Sequence, residues 1–87
     1  MKFRGNGKSI ELTGQKERLL MLLMARKDVN RDDVLGVLWP EPEFLAENLY
    51  HTAHSVMLQL RRRIEPLGWT VKHPYFLGNY YLEKYHG

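Results

Sequence analysis

Residues 46–64 decide the fold, and they read AENLYHTAHSVMLQLRRRI. In a helix, which advances by about 100° per residue, six apolar side chains of this stretch form one stripe: Leu49, Ala53, Val56, Met57, Leu60 and Ile64. The opposite side is polar and cationic, and it holds Asn48, His51, Ser55, Gln59 and Arg62. Its flanks and last turns hold Thr52, His54, Arg61 and Arg63, and the one apolar residue on it is Leu58, expected to be exposed. We predict a helix that buries one side and offers the other to a partner.

The chemistry of the polar side favours a nucleic acid as that partner. A solvated helix face usually mixes Glu and Lys, whereas this side has short hydrogen-bonding side chains that suit base edges and arginines where phosphates would lie. A second interpretation stays open, because Arg61-Arg62-Arg63 also places cations at the negative end of the helix macrodipole. The pattern indicates a recognition helix.

Length and charge limit the classes of protein. The 87 residues suffice for one small domain, residues 1–87, with one modest core. Lys and Arg number 13 against 10 Asp and Glu, which gives a net charge of +3. Residues 1–27 have an excess of five positive charges, residues 28–47 of five negative charges, and residues 48–87 of three positive charges. This separation predicts distinct positive and negative surfaces.

Cysteine usage and apolar runs exclude other classes. Because the chain has no cysteine, it has no disulfide framework and no thiolate metal site, which favours a reducing cytoplasm. The apolar run from Leu19 to Ala25 is too short to span a bilayer, and residues 1–4 lead into no signal-peptide core. We expect a soluble cytoplasmic protein with no membrane partner.

Turn and cap residues divide the first half of the chain. Gly5-Asn6-Gly7 predicts a hairpin turn between strands at residues 3–4 and 8–12. Thr13 is expected to cap a helix from Gly14 to about Lys27, whose apolar face comprises Leu19, Leu20, Leu22, Leu23 and Met24. Asn30 is expected to cap a second helix, which Pro40-Glu41-Pro42 ends. The long third helix, residues 46–64, follows.

The second half of the chain ends in another hairpin. Pro66-Leu67-Gly68 breaks the chain after the third helix. Residues 69–73 and 79–84 then alternate like two strands around a tip at residues 74–78. The order of hairpin, three helices and hairpin predicts an α+β fold, the winged helix-turn-helix, with residues 69–84 as the wing.

Several phrases of the sequence resemble one known family. They are Glu11-Leu12-Thr13, Leu19-Leu20, Val29-Asn30-Arg31-Asp32-Asp33-Val34-Leu35, Leu38-Trp39, Leu60-Arg61-Arg62-Arg63-Ile64 and Gly78-Asn79-Tyr80-Tyr81-Leu82. Over residues 3–82 the chain resembles the OmpR/PhoB-type effector domain of bacterial response regulators. The resemblance implies a bacterial or phage transcription regulator that binds double-stranded DNA sequence-specifically, and it leaves a homodimer on DNA open. No receiver domain precedes the fold, so we expect either a fragment of a longer regulator or a stand-alone protein.

The resemblance also implies roles for individual residues. If the Leu-Arg-Arg-Arg-Ile phrase sets the register, base-contacting positions fall on Thr52, His54, Ser55 and Gln59. Phosphate-holding positions fall on His51, Arg61 and Arg62, and the basic helix end adds Arg63 and the wing adds Lys72. The interval after Trp39 is a few residues longer than in the family, so this register can slip by about three residues.

The sequence departs from the family at the sites of contact. Family members often have Arg at the positions of His51 and Gln59 and Asp at that of His54, so the half-site read here should differ from theirs. The family's wing commonly has an arginine that enters the minor groove, whereas this chain reads Phe76-Leu77-Gly78-Asn79-Tyr80. Phe76 could wedge between bases or meet a protein, although hairpin packing explains these residues as well.

The loop between the second and third helices is acidic. In the resembling family the equivalent loop can contact RNA polymerase, which makes Glu41, Glu43, Phe44 and Leu45 candidates for a protein contact within residues 40–47. The simpler interpretation is that Phe44 and Leu45 cover the core while the glutamates keep the loop soluble.

Catalysis has little support in the sequence. His51 and His54 are three residues apart, but no cysteine and no carboxylate beyond Glu47 is near to complete a zinc site. Ser55 lacks a group that would orient His51 as a base, and Gly5-Asn6-Gly7 fits no nucleotide fingerprint. We expect no catalytic residue, metal or cofactor. The alternative function is a winged helix that binds RNA polymerase or another regulator instead of DNA.

Overall fold

The computed structural model describes residues 1–39, 48–73 and 79–86, with residues 48–51 described by their backbone alone. Within these ranges the protein is an α+β fold of three helices and two antiparallel hairpins. The predicted order of hairpin, three helices and hairpin is confirmed there. Three predicted features lie outside the described residues. They are the stop of the second helix at residues 40–42, the start of the third helix at residues 46–47, and the tip of the second hairpin at residues 74–78.

The N-terminal hairpin pairs β1, Lys2–Gly5, with β2, Lys8–Glu11. Its two-residue turn is Asn6-Gly7, with φ of 52° and 73°, as a tight hairpin requires. Gly5, predicted to lie in the turn, is instead the last residue of β1. The Met1 amino group donates a hydrogen bond to Glu11 Oε1 at 3.0 Å, and this bond raises the pKa of the amino group.

Helix α1, Gly14–Ala25, is two residues shorter than predicted. Arg26 takes an extended conformation because the chain leaves the helix to reach Val29, which forms a two-way backbone bridge with Tyr80. Val29 N–H donates to the Tyr80 carbonyl at 2.9 Å, and Tyr80 N–H donates to the Val29 carbonyl at 2.6 Å. Thr13 occupies the cap position but makes no side-chain cap hydrogen bond.

The apolar face of α1 is narrower than predicted. Leu19, Leu20 and Leu23 are buried, whereas Leu22 is half-buried and Met24 is 57% exposed. Met24 lies about 90° around the helix from the centre of the buried residues, so it falls at the edge of the stripe. The assignment of Met24 to the core is therefore wrong.

Helix α2, Arg31–Leu38, begins with the predicted cap. Asn30 Oδ1 accepts a hydrogen bond from the Asp33 backbone N–H at 2.8 Å, and the Asp33 carboxylate accepts one from the Asn30 N–H at 3.4 Å. This reciprocal pair satisfies two backbone donors of the first turn. Val34, Leu35 and Leu38 are buried from this helix.

Helix α3, Asn48–Ile64, completes the core with Ala53, Val56, Met57, Leu60 and Ile64. A 3-10 turn, Glu65–Leu67, follows and leads into the C-terminal hairpin of β3, Trp69–Lys72, and β4, Tyr81–Lys84. Both strands are shorter than predicted, because His73 lies outside the ladder and Tyr80 pairs with Val29 instead. In the parts of the chain that are described, no helix is both long and apolar enough to cross a membrane.

Candidate nucleic-acid interface

Helix α3 separates its two sides as its sequence predicts. Val56, Leu60 and Ile64 are buried, whereas Ser55, Gln59 and Arg62 are exposed. The three exposed residues are spaced by four and three, so they form one line along the outer side of the helix. Thr52 and His54 are also exposed, on either flank of this line. Leu58 is half-buried, so its predicted full exposure is wrong.

The outer side of α3 has no negative charge of its own. No Asp or Glu occurs from Asn48 to Ile64, and Arg61, Arg62 and Arg63 occupy the last turn. Hydroxyl, imidazole and amide groups come first along the helix and guanidinium groups come last. A surface of this kind attracts anions and offers both donors and acceptors for directed hydrogen bonds.

The three arginines are not equivalent. Arg62 is exposed and has no ion pair or hydrogen bond with the residues described. Arg61 is half-buried, with its Nε 3.8 Å from Glu65 Oε2. Arg63 Nη2 donates a hydrogen bond to the Glu11 carbonyl oxygen at 3.1 Å. Arg62 is therefore the arginine most available to an external anion.

The N-terminal hairpin lies against the C-terminal end of α3. A Cβ on Gly5 would overlap the Leu67 carbonyl oxygen, so only glycine permits this approach. Asn6 Nδ2 donates to the Pro66 carbonyl at 3.5 Å, and the Arg63 bond to Glu11 ties the same two elements together. Arg4 and Lys8, which are exposed on this hairpin, therefore belong to the element that packs against the C-terminal end of α3. In the sequence, only the positive charge of residues 1–27 indicated that the N-terminal hairpin could contribute to a cationic surface with α3.

The C-terminal hairpin places one candidate cation at its surface. Lys72 is exposed, and its Nζ lies 3.9 Å from Glu83 Oε2 on the neighbouring strand. Exposed pairs at this distance are weak, so Glu83 leaves Lys72 accessible. His73 stacks on Tyr80 with ring centroids 4.3 Å apart, which makes it a packing residue of this hairpin.

The remaining candidate residues are not among those whose side chains the structure describes. The side chain of His51 is not described, although its backbone belongs to α3. Glu41, Glu43, Phe44 and Leu45 lie in the gap before α3, and Phe76 lies in the gap between β3 and β4. The structure therefore brings together the end of α3 and the N-terminal hairpin, and the candidate site adds the exposed side of α3 to them. Lys72 lies on the C-terminal hairpin.

Neither a protein-family model nor a curated protein matches this chain.

Proposed function

We propose that the protein is a winged helix-turn-helix that binds double-stranded DNA sequence-specifically, with α3 in the major groove. The observation that carries this proposal is the outer side of α3: a helix of 17 residues has no carboxylate and exposes Ser55, Gln59 and Arg62 in one line. The major groove is wide enough for an α-helix, and polar side chains on such a helix can reach base edges there.

The arrangement of the other elements supports the winged form. Helices α2 and α3 pack against each other, and the C-terminal hairpin follows α3 directly. The Val29–Tyr80 bridge joins the segment before α2 to that hairpin, so the hairpin is fixed to the helices from two directions. A hairpin held in this way can serve as the wing beside an inserted helix.

The proposed mechanism divides anchoring from reading. Arg62 would bind a phosphate, supported by His51, Arg61, Arg63 and Lys72. Arg61 and Arg63 would exchange their present partners, Glu65 and the Glu11 carbonyl, for phosphate oxygens. Gln59 carries an amide that can donate to and accept from one adenine edge, and Thr52, His54 and Ser55 would complete the readout. Anchoring residues set the register, whereas reading residues distinguish sequences.

The test is a titration of fluorescently labelled random-sequence duplex DNA with the protein, followed by anisotropy at several salt concentrations. If about four to six phosphates are neutralised, the logarithm of the association constant should fall with the logarithm of salt at a slope of roughly −4 to −5. Selection from a random duplex library would then define the preferred site. The absence of binding at low salt, or affinity that salt does not change, would contradict the proposal and favour a protein-interaction module.

A further inference from the structure

A groove lies between the end of α1 and the two hairpins. Its volume is about 690 Å³, and its apolar lining includes Phe3, Leu23, Met24, Trp69 and Leu82. None of the α3 residues whose side chains are described, 52–64, lines it. A ligand in this groove would therefore leave the described side chains of α3 uncovered, although it would contact Arg4 of the N-terminal hairpin.

The floor of the groove includes apolar surface that folding has not removed from water. Met24 is 57% exposed, and Trp69 and Leu82 are only half-buried although they pack on the core. Contiguous apolar surface of this kind is typical of a contact with another molecule. Methionine suits such a contact because its unbranched, polarisable side chain adapts to different shapes.

The rim of the groove is cationic. Arg4, Arg26 and Lys27 line it, and no carboxylate is among the lining residues that the structure describes. Arg26 is already paired with Asp33 at 3.0 Å, whereas Arg4 and Lys27 have no ion pair with any part of the chain that is described. Lys84 adds a further positive charge, with its Nζ 5.9 Å from the centroid of the Trp69 ring. A ligand that fills the groove must place negative charge at its edges.

We propose that this groove binds a short acidic segment of another protein, with a large apolar side chain on the floor and Asp or Glu side chains beside Arg4 and Lys27. DNA fits poorly, because an apolar floor offers nothing to phosphates or sugars. Among the described residues, a second copy of this chain is not favoured as the ligand. Its acidic residues Asp32 and Asp33 lie in α2, but the large apolar side chains beside them are buried and are not available to enter a groove: Val34, Leu35 and Leu38. The inference does not depend on DNA binding.

The first experiment uses a labelled synthetic peptide of about 12 residues, with Leu and Phe at every third or fourth position and Asp or Glu elsewhere. A matched peptide has Asn and Gln in place of the acids. The full chain should bind the acidic peptide at least about fivefold more tightly, since only that peptide complements the cationic rim. The chain has two tryptophans, so the indole N–H resonance of Trp69 should shift while that of Trp39 stays in place.

Variants then locate the site. Met24→Ser and Arg4→Ala should each weaken peptide binding roughly five- to tenfold, because each removes one contact from a small interface. Met21→Ser is the matched control for the first, since Met21 is 54% exposed on the same helix but lies outside the groove. Arg62→Ala is the matched control for the second, since it removes an exposed arginine from α3. Both controls should stay within about twofold of the unmodified chain, as expected for surface changes outside a contact.

Three results would overturn the proposal. Equal binding of the two peptides would show that charge does not select the ligand. Equal weakening by Arg62→Ala and Arg4→Ala would show non-specific attraction to cations. Concentration-dependent self-association that Met24→Ser abolishes, measured by sedimentation, would assign the groove to a second copy of this chain.

Discussion

Helices α1 and α3 pack on the same core but present opposite chemistry to water. The outer side of α1 exposes two apolar residues, Met21 and Met24, whereas that of α3 exposes Ser55, Gln59 and Arg62. Their buried sides are alike, each lined by leucines or other aliphatic residues. The inner sides therefore determine how the helices pack, whereas the outer sides determine which molecules the protein can bind. We infer an acidic protein segment beside Met24 of α1 and DNA along α3.

The largest effect should come from removing the core that both helices share. Leu60 is fully buried on α3, so Leu60→Ala should lower the free energy of unfolding by about 2–5 kcal/mol and weaken both surfaces together. Its exposed neighbour provides the control, because Gln59→Ala should change stability by no more than about 0.5 kcal/mol. Urea denaturation followed by circular dichroism measures both. Similar losses in the two variants would mean that the inner and outer sides of α3 are assigned incorrectly.

The next effect concerns sequence readout by α3. Gln59→Ala and Ser55→Ala should each cost roughly 1–3 kcal/mol of binding to the preferred DNA site, with little change on random DNA. Neither change touches the groove beside α1, so the acidic peptide should bind both variants normally. Equal losses on preferred and random DNA would show that these residues do not read bases and that the register along α3 is wrong.

A smaller effect should come from the anchoring arginine. Arg62→Ala should weaken binding to every DNA sequence by roughly fivefold and make the salt slope shallower by about one. Arg63→Ala is the comparison, because Arg63 must first release the Glu11 carbonyl and should contribute less. Anisotropy titrations at several salt concentrations distinguish them. A selective loss on the preferred site alone would make Arg62 a reading residue.

The smallest effect should follow from neutralising two glutamates in the sequence before α3. Replacing Glu41 and Glu43 by Gln should leave DNA affinity unchanged or raise it by less than about threefold, because screened negative charges repel phosphates only weakly. Transcriptional output should fall if these residues contact polymerase. Loss of DNA binding with full output would show that they act in DNA binding instead.

Features set by neighbouring residues were predictable from the sequence. Asn6 and Gly7 tolerate positive φ, so their hairpin turn followed from residue type alone. The cap at Asn30 followed in the same way, because its partner Asp33 is three residues along the chain. The periodicity of residues 52–64 identified the exposed side of α3 without knowledge of any other element.

Features that join distant parts of the chain were not predictable. The partner of Arg63 is the carbonyl of Glu11, and no local pattern relates these residues. The apolar side chain of Met24 and its position near the stripe predict burial, yet its exposure depends on where both hairpins lie beside α1. The groove was missed for the same reason, since its lining comes from β1, α1, β3 and β4.

The bridge between Val29 and Tyr80 has a consequence for the order of folding. Its two hydrogen bonds join residues 51 positions apart and enclose α2 and α3. Bringing such distant residues together lowers the conformational entropy of the chain before the new contacts offset that loss. The helices should therefore dock first and the bridge should form late. Once formed, it ties the segment before α2 to the chain after β3, so the amide protons of Val29 and Tyr80 should exchange with solvent as one cooperative unit.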